Sequence, residues 1–223
     1  MKYFFFLMLI CGAGAFCTSG PEKKSQSVDC YVRYLVPEGQ LHAELTLREG
    51  PPGQAPQNPA AAPGGVQYQG VRMNEIRGEG ISYRIDRAGG YPPQHVFSWT
   101  DEDKKNRQFS MELSPITAFS FGSTTLNRQS PATFTWDGSA LEKGEVLVFL
   151  WETVDRLSTV PMEVIGTPGQ QRIEFPATKI AELSPGVWTL YIVRKKLTKA
   201  AVEGTAATGI IEFYSRVDTL TVQ

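Results

Sequence analysis

The chain has 223 residues, with 22 Lys and Arg against 23 Asp and Glu and only 2 His. At 41% hydrophobic and 20% charged it is too apolar for a disordered chain. Its net charge of −1 gives no electrostatic reason to bind nucleic acid, and two His exclude a His-rich metal centre. Gly (21) and Pro (15) make up about 16% of the chain, against roughly 12% in average proteins, so turns are frequent.

At the N-terminus Lys2 is followed by an unbroken apolar run from Tyr3 to Cys11. One positive charge and then an apolar stretch of about 15 residues read as a secretory signal, because a membrane-spanning helix needs about 20. Two processing outcomes stay open. Ala13-Gly14-Ala15 offers a small-residue cleavage site. Alternatively the segment resembles a bacterial lipoprotein signal, with Cys17 as the lipid-bearing residue. Phe16 before it departs from the small residue usual there. The polar residues 18–27 then read as a tether. Both outcomes place the protein outside the cytoplasm: secreted, periplasmic or held at the outer membrane. Contact with a membrane is expected only through a lipid on Cys17. Cys30 is left either as a buried thiol at a strand start or as a partner of Cys17 in a small disulfide loop.

The rest of the chain reads as β. Residues 31–36 and 41–47 flank a Pro-Glu-Gly-Gln turn, and Leu41, Ala43, Leu45 and Leu47 alternate with His42, Glu44 and Thr46. Residues 50–65 are so rich in Pro and Gly that a long surface loop is expected. Strand-like runs resume at 66–73, 81–86, 95–100 and 108–113. Ser114-Pro115 is a plausible boundary. Beyond it, candidate strands at 116–121, 132–136, 145–152, 162–165, 171–175, 187–195 and 210–222 recur about every ten residues, the spacing of a β-sandwich. Residues 146–151 are apolar on both faces, as a central strand should be, and 176–183 could form one helical turn.

In this second half, Leu183-Ser184-Pro185-Gly186-Val187-Trp188 leads into an aromatic-rich strand, and Phe134-Thr135-Trp136 offers a buried Trp. These residues resemble the corner and early strand of fibronectin type III and immunoglobulin-like domains. Trp188 stands where the corner Tyr is usual, and no Cys pair crosses the sheets. The resemblance implies an immunoglobulin-like sandwich in an extracellular setting and no particular activity. The expectation is therefore an all-β protein of two β-sandwich-like halves. Residues 1–17 would be the signal peptide, 18–27 the tether, 28–113 an N-terminal β domain and 114–223 the immunoglobulin-like domain.

Chemistry-bearing patterns are few. Asp101, Asp103 and Glu112 match positions of an EF-hand calcium loop, but Lys105 and Asn106 occupy positions that need an oxygen ligand and a Gly. A solvated hairpin tip is the better reading. His42 and His95 have no nucleophile motif beside them. Glu142, Glu145, Glu152 and Asp155 read as surface charge, and the basic run from Arg194 to Lys199 as the end of a strand opening a solvated loop. No catalytic residue, metal ligand or cofactor is expected. Trp99, Tyr91 and Tyr83, with Tyr68, lie near turns and are weak candidates for a ligand platform. The function expected is that of an exported, non-enzymatic binding or structural protein of the cell envelope, with an unknown protein or glycan partner. A carbohydrate-binding module is the alternative, and a small extracytoplasmic hydrolase stands third.

Overall fold

A computed structural model describes residues 24–223. The expected signal peptide, most of the tether and the lipidation candidate Cys17 lie outside the described residues.

The described chain is almost entirely β. It runs through β1 (Ser25–Leu35), β2 (Gln40–Gly50), β3 (Asn58–Ala60), β4 (Val66–Tyr68), β5 (Val71–Arg72), β6 (Asn74–Arg77), β7 (Ile81–Ala88), β8 (Gln94–Thr100) and β9 (Asn106–Glu112). Then follow β10 (Ala118–Ser120), β11 (Thr125–Leu126), β12 (Ala132–Asp137), β13 (Glu145–Thr153), β14 (Thr159–Val164) and β15 (Arg172–Phe175). A single helical turn, α1 (Ala177–Ile180), precedes the 17-residue β16 (Gly186–Val202), then β17 (Thr205–Tyr214) and β18 (Asp218–Val222).

Alternation writes the layers. In β1 Val28, Cys30, Val32 and Tyr34 are buried while Asp29, Tyr31 and Arg33 face out. In β2 Leu41, Ala43, Leu45 and Leu47 do the same against His42, Glu44 and Thr46. A small sheet, β5-β4-β8-β9, covers the inner face of this long sheet. At Gly209 the two layers come so close that a Cβ would run into the Met111 sulfur. In the second half a three-stranded sheet, β10-β12-β15, packs over β13 and β16. Phe149 sits edge-on to Phe134 at 4.7 Å and to Phe175 at 4.5 Å between these layers. Trp136, Trp151 and Trp188 are all buried there. The Trp188 indole N–H donates to the Ser184 carbonyl at 2.9 Å. The bond ties the indole to the turn that leads into β16.

Three expectations change. First, the pairing crosses the boundary expected at 113/114. The N-terminal half of β16 pairs with β13 and β18, but its C-terminal half pairs with β17, and β17 pairs in parallel with β1 from Ser27 to Leu35. One 11-stranded sheet therefore runs through both halves, and two strands from late in the chain complete the sheet begun by β1.

Second, the basic run is not a loop. β16 continues to Val202, and Arg194 is fully buried on its inner side. The strand persists because its backbone pairs with β17 as far as Val202, with Lys195, Leu197 and Lys199 on the outer side. The expected strand 210–222 is two strands, parted at 215–217 where the chain steps from one half of β16 to the other. Third, the long Pro-rich loop contains β3, which pairs with β2 through Asn58, Pro59 and Ala60. Pro fits here because β3 is short and lies at the edge.

Candidate functional site

The sequence candidates are placed as follows. Trp99 is 2% exposed and Tyr83 1%, so both belong to the core and offer no ring face to a ligand. Tyr83 instead accepts the Ala62 amide at 2.9 Å, pinning the 50–65 loop to β7. Proximity to turns misled because alternation turns both side chains inward. Tyr91 is half-buried between Tyr34 and Phe213, and its hydroxyl donates to the Leu113 carbonyl. Tyr68 is buried and shares a 2.6 Å hydrogen bond with His95 Nδ1. His95 is wholly buried, and burial lowers its imidazole to about 4. A cleft of about 230 Å³ lies beside Tyr68, bordered by Gln69 and Arg87.

The carboxylates also divide. Glu145 is not surface charge. It is buried against Arg194, whose guanidinium meets Glu145 Oε2 through Nη2 at 2.5 Å and Nε at 3.1 Å. Glu142 is exposed, and the Lys196 ammonium at 2.6 Å holds its carboxyl below the usual range. Asp155 is lowered in the same direction by the Thr153 hydroxyl. Asp101 is buried with Arg107 at 2.7 Å, so the expected solvated tip has a buried base. Among the described residues no group of three or more His, Cys, Asp and Glu could hold a metal ion. Burial pushes the free Cys30 thiol well up, which suppresses its thiolate.

What the sequence reading missed is the outer face of the sheet formed by β16, β17, β1, β2 and β7. Register places its outward side chains in rows that cross the strands. One row is Lys195, Glu212, Arg33, His42 and Asp86. The next is Leu197, Ile210, Tyr31, Glu44 and Arg84. A third holds Lys199, Thr208, Asp29, Thr46 and Ser82. Neighbouring strands are about 4.8 Å apart, so Leu197, Ile210 and Tyr31 make an apolar bar about 10 Å long. A polar row flanks it on each side.

The polar rows are ordered by hydrogen bonds and ion pairs. Tyr31 donates to Glu212 Oε2 at 2.7 Å, and Lys195 lies 3.1 Å from the other carboxylate oxygen. His42 Nδ1 is 2.7 Å from Asp86, Arg84 is 3.2 Å from Glu44, and Arg48 is 2.6 Å from Asp29. Burial, with the bond to Glu212 second, pushes the Tyr31 phenol up, so it remains a donor. At the far end the face opens into a cleft of about 250 Å³ bordered by Thr46, Arg48, Ile76 and Ser82. A period-2 reading of each strand marks these residues as outward. Only cross-strand register aligns them, because β17 lies more than 170 residues after β1 in the chain.

The fold and this face define an all-β protein whose sheets pack as sandwich layers beneath a structured polar surface. No protein-family model matches the chain. No curated protein matches it either. Among solved structures, the chain is similar to one described as Bacteroides ovatus mixed-linkage glucan utilization locus SGBP-B in complex with mixed-linkage heptasaccharide. The TM-score is 0.26 at 12% identity, over 83% of this chain. The chain spans about half, 54%, of that structure's length.

Proposed function

We propose that the protein is an exported, non-enzymatic binding protein of the cell envelope, and that the outer face of the β16-β17-β1-β2-β7 sheet is its ligand surface. The observation that carries this reading is the ordered face itself. Three strands from distant parts of the chain bring Leu197, Ile210 and Tyr31 into one bar, and ion pairs fix the groups beside it. Side chains held by neighbours lose little freedom on binding, which favours recognition on a rigid sheet. Export rests on the signal-like N-terminus. The reading as a lipid-anchored protein has Cys17 carry the lipid, with β1 starting a short polar stretch later at Ser25.

Two measurements test it. Intact mass of the mature protein from its native envelope should show a start after Ala15 or a lipidated Cys17; an unprocessed Met1 overturns export. Hydroxyl-radical footprinting should show Tyr31, Leu197 and Ile210 protected in the envelope relative to the purified protein. Protection confined to other surfaces overturns the assignment of the face.

A further inference from the structure

Resting on that reading, we infer that the face binds a neutral glycan chain, with the Leu197-Ile210-Tyr31 bar as the platform for a sugar ring.

The inference comes from matching the chemistry of the face to an occupant. Most of the charges here are taken up in pairs, Lys195 with Glu212, Arg84 with Glu44 and Arg48 with Asp29, and His42 is hydrogen-bonded to Asp86, while Arg33 and Lys199 stand apart from these pairs. A surface whose charges are mostly paired gives little net field to concentrate a polyanion. It does present many donors and acceptors held in fixed positions. Between them runs a narrow apolar bar rather than a broad patch. A protein partner with an apolar anchor would call for a wider or deeper apolar area. The bar needs a ligand with a flat apolar face about as wide as a ring and a rim of groups that both donate and accept. A sugar ring has that form, with C–H groups on its faces and hydroxyls around its edge.

The parts have separable roles. Leu197, 45% exposed, and Ile210 supply apolar contact on the β16 side of the bar. Tyr31 ends the bar with a ring whose hydroxyl is already committed to Glu212, so it meets a ligand by its ring. Glu212 and Lys195 on one side, and Asp29 and Thr46 on the other, stand where rim hydroxyls would fall. The cleft at Thr46 and Ser82 extends the face, so a chain of several sugars fits better than a single one.

The test is native affinity electrophoresis of the mature protein in gels carrying a β-glucan, a xylan, a mannan or amylose, with alginate and heparin as anionic probes. Wild type should be retarded by at least one neutral polymer. Tyr31→Ala and Leu197→Asp should each weaken that retardation about tenfold or more, and Tyr31→Trp should keep it. Circular dichroism melts identify any variant that fails to fold, and Leu197→Asp, at an exposed position, stands in if Tyr31→Ala does. Retardation that both folded variants retain overturns the platform. Retardation by alginate or heparin alone overturns the neutral class. Absence of retardation by every polymer, with footprint protection of the face intact, overturns the glycan and leaves the binding face standing. Loss of both results removes the binding reading itself.

Discussion

Ser215 and Ile192 are joined twice. The Ser215 amide donates to the Ile192 carbonyl at 2.9 Å, and the Ser215 hydroxyl oxygen accepts the Ile192 amide at 2.9 Å. This is the point on β16 where its neighbour changes from β18 to β17. The side chain takes the place that a strand carbonyl would fill, so the ladder passes the switch with no orphaned amide. Ser215→Ala should leave the Ile192 amide buried without its acceptor and destabilise the protein by about 1–3 kcal/mol. Urea unfolding measures the loss, and hydrogen exchange should show the Ile192 amide losing protection first. An Ile192 amide as slow as in wild type would show that the hydroxyl is dispensable.

The buried Arg194–Glu145 pair fastens β16 to β13 and to the turn before it. Arg194 also donates to the Ser139 and Ala140 carbonyls at 3.1 and 2.9 Å, and Glu145 Oε2 accepts the Glu142 amide at 3.0 Å. Removing either partner strands a buried charge. Glu145→Gln and Arg194→Met should each cost about 3–5 kcal/mol. The double variant should cost clearly less than the two together, since no lone charge remains. Additive losses in urea melts would refute the coupling.

His95 sets a pH dependence. Its folded value of about 4 lies below the ordinary 6.5, so the unfolded chain takes up the proton first as pH falls. Its contribution is full above about pH 6.5 and is lost as pH drops toward 4, by about 3 kcal/mol in all. His95→Gln removes the titration and should flatten stability against pH between 6.5 and 4 relative to wild type. Parallel curves for the two proteins would contradict the assignment.

Sheet continuity predicts the behaviour of fragments. Residues 24–113 lack β16 and β17, so β1 would present a bare edge from Ser27 to Leu35 and the Gly209 contact would be missing. That fragment should show neither a cooperative melt nor dispersed amide resonances. Mixing it with 114–223 should restore both. A cooperative melt from 24–113 alone would support an independent N-terminal domain.

Much of the secondary structure was legible because alternation is a local signal. The β1-turn-β2 hairpin, the central character of β13, the α1 turn and the buried Trp136, Trp151 and Trp188 all follow from residue spacing. The candidate site was not legible. Trp99 and Tyr83 were singled out as aromatics near turns, yet their parity along β8 and β7 faces the core. Leu197 was hidden within a basic run that looked like a loop, since three charges in a row obscure period 2. Arg194 and Glu145 resembled solvated charge because nothing local records a partner 49 residues away.

The sequence alone therefore determined the β class, the inward and outward faces of most strands and a signal-like N-terminus, each a property of near neighbours in the chain. Tertiary structure alone decided that β17 lies beside β1, that β16 serves both halves and that Tyr31, Ile210 and Leu197 form one bar. Strand pairing joins residues far apart in sequence through backbone hydrogen bonds that any side chain permits, and composition leaves no record of which strands meet.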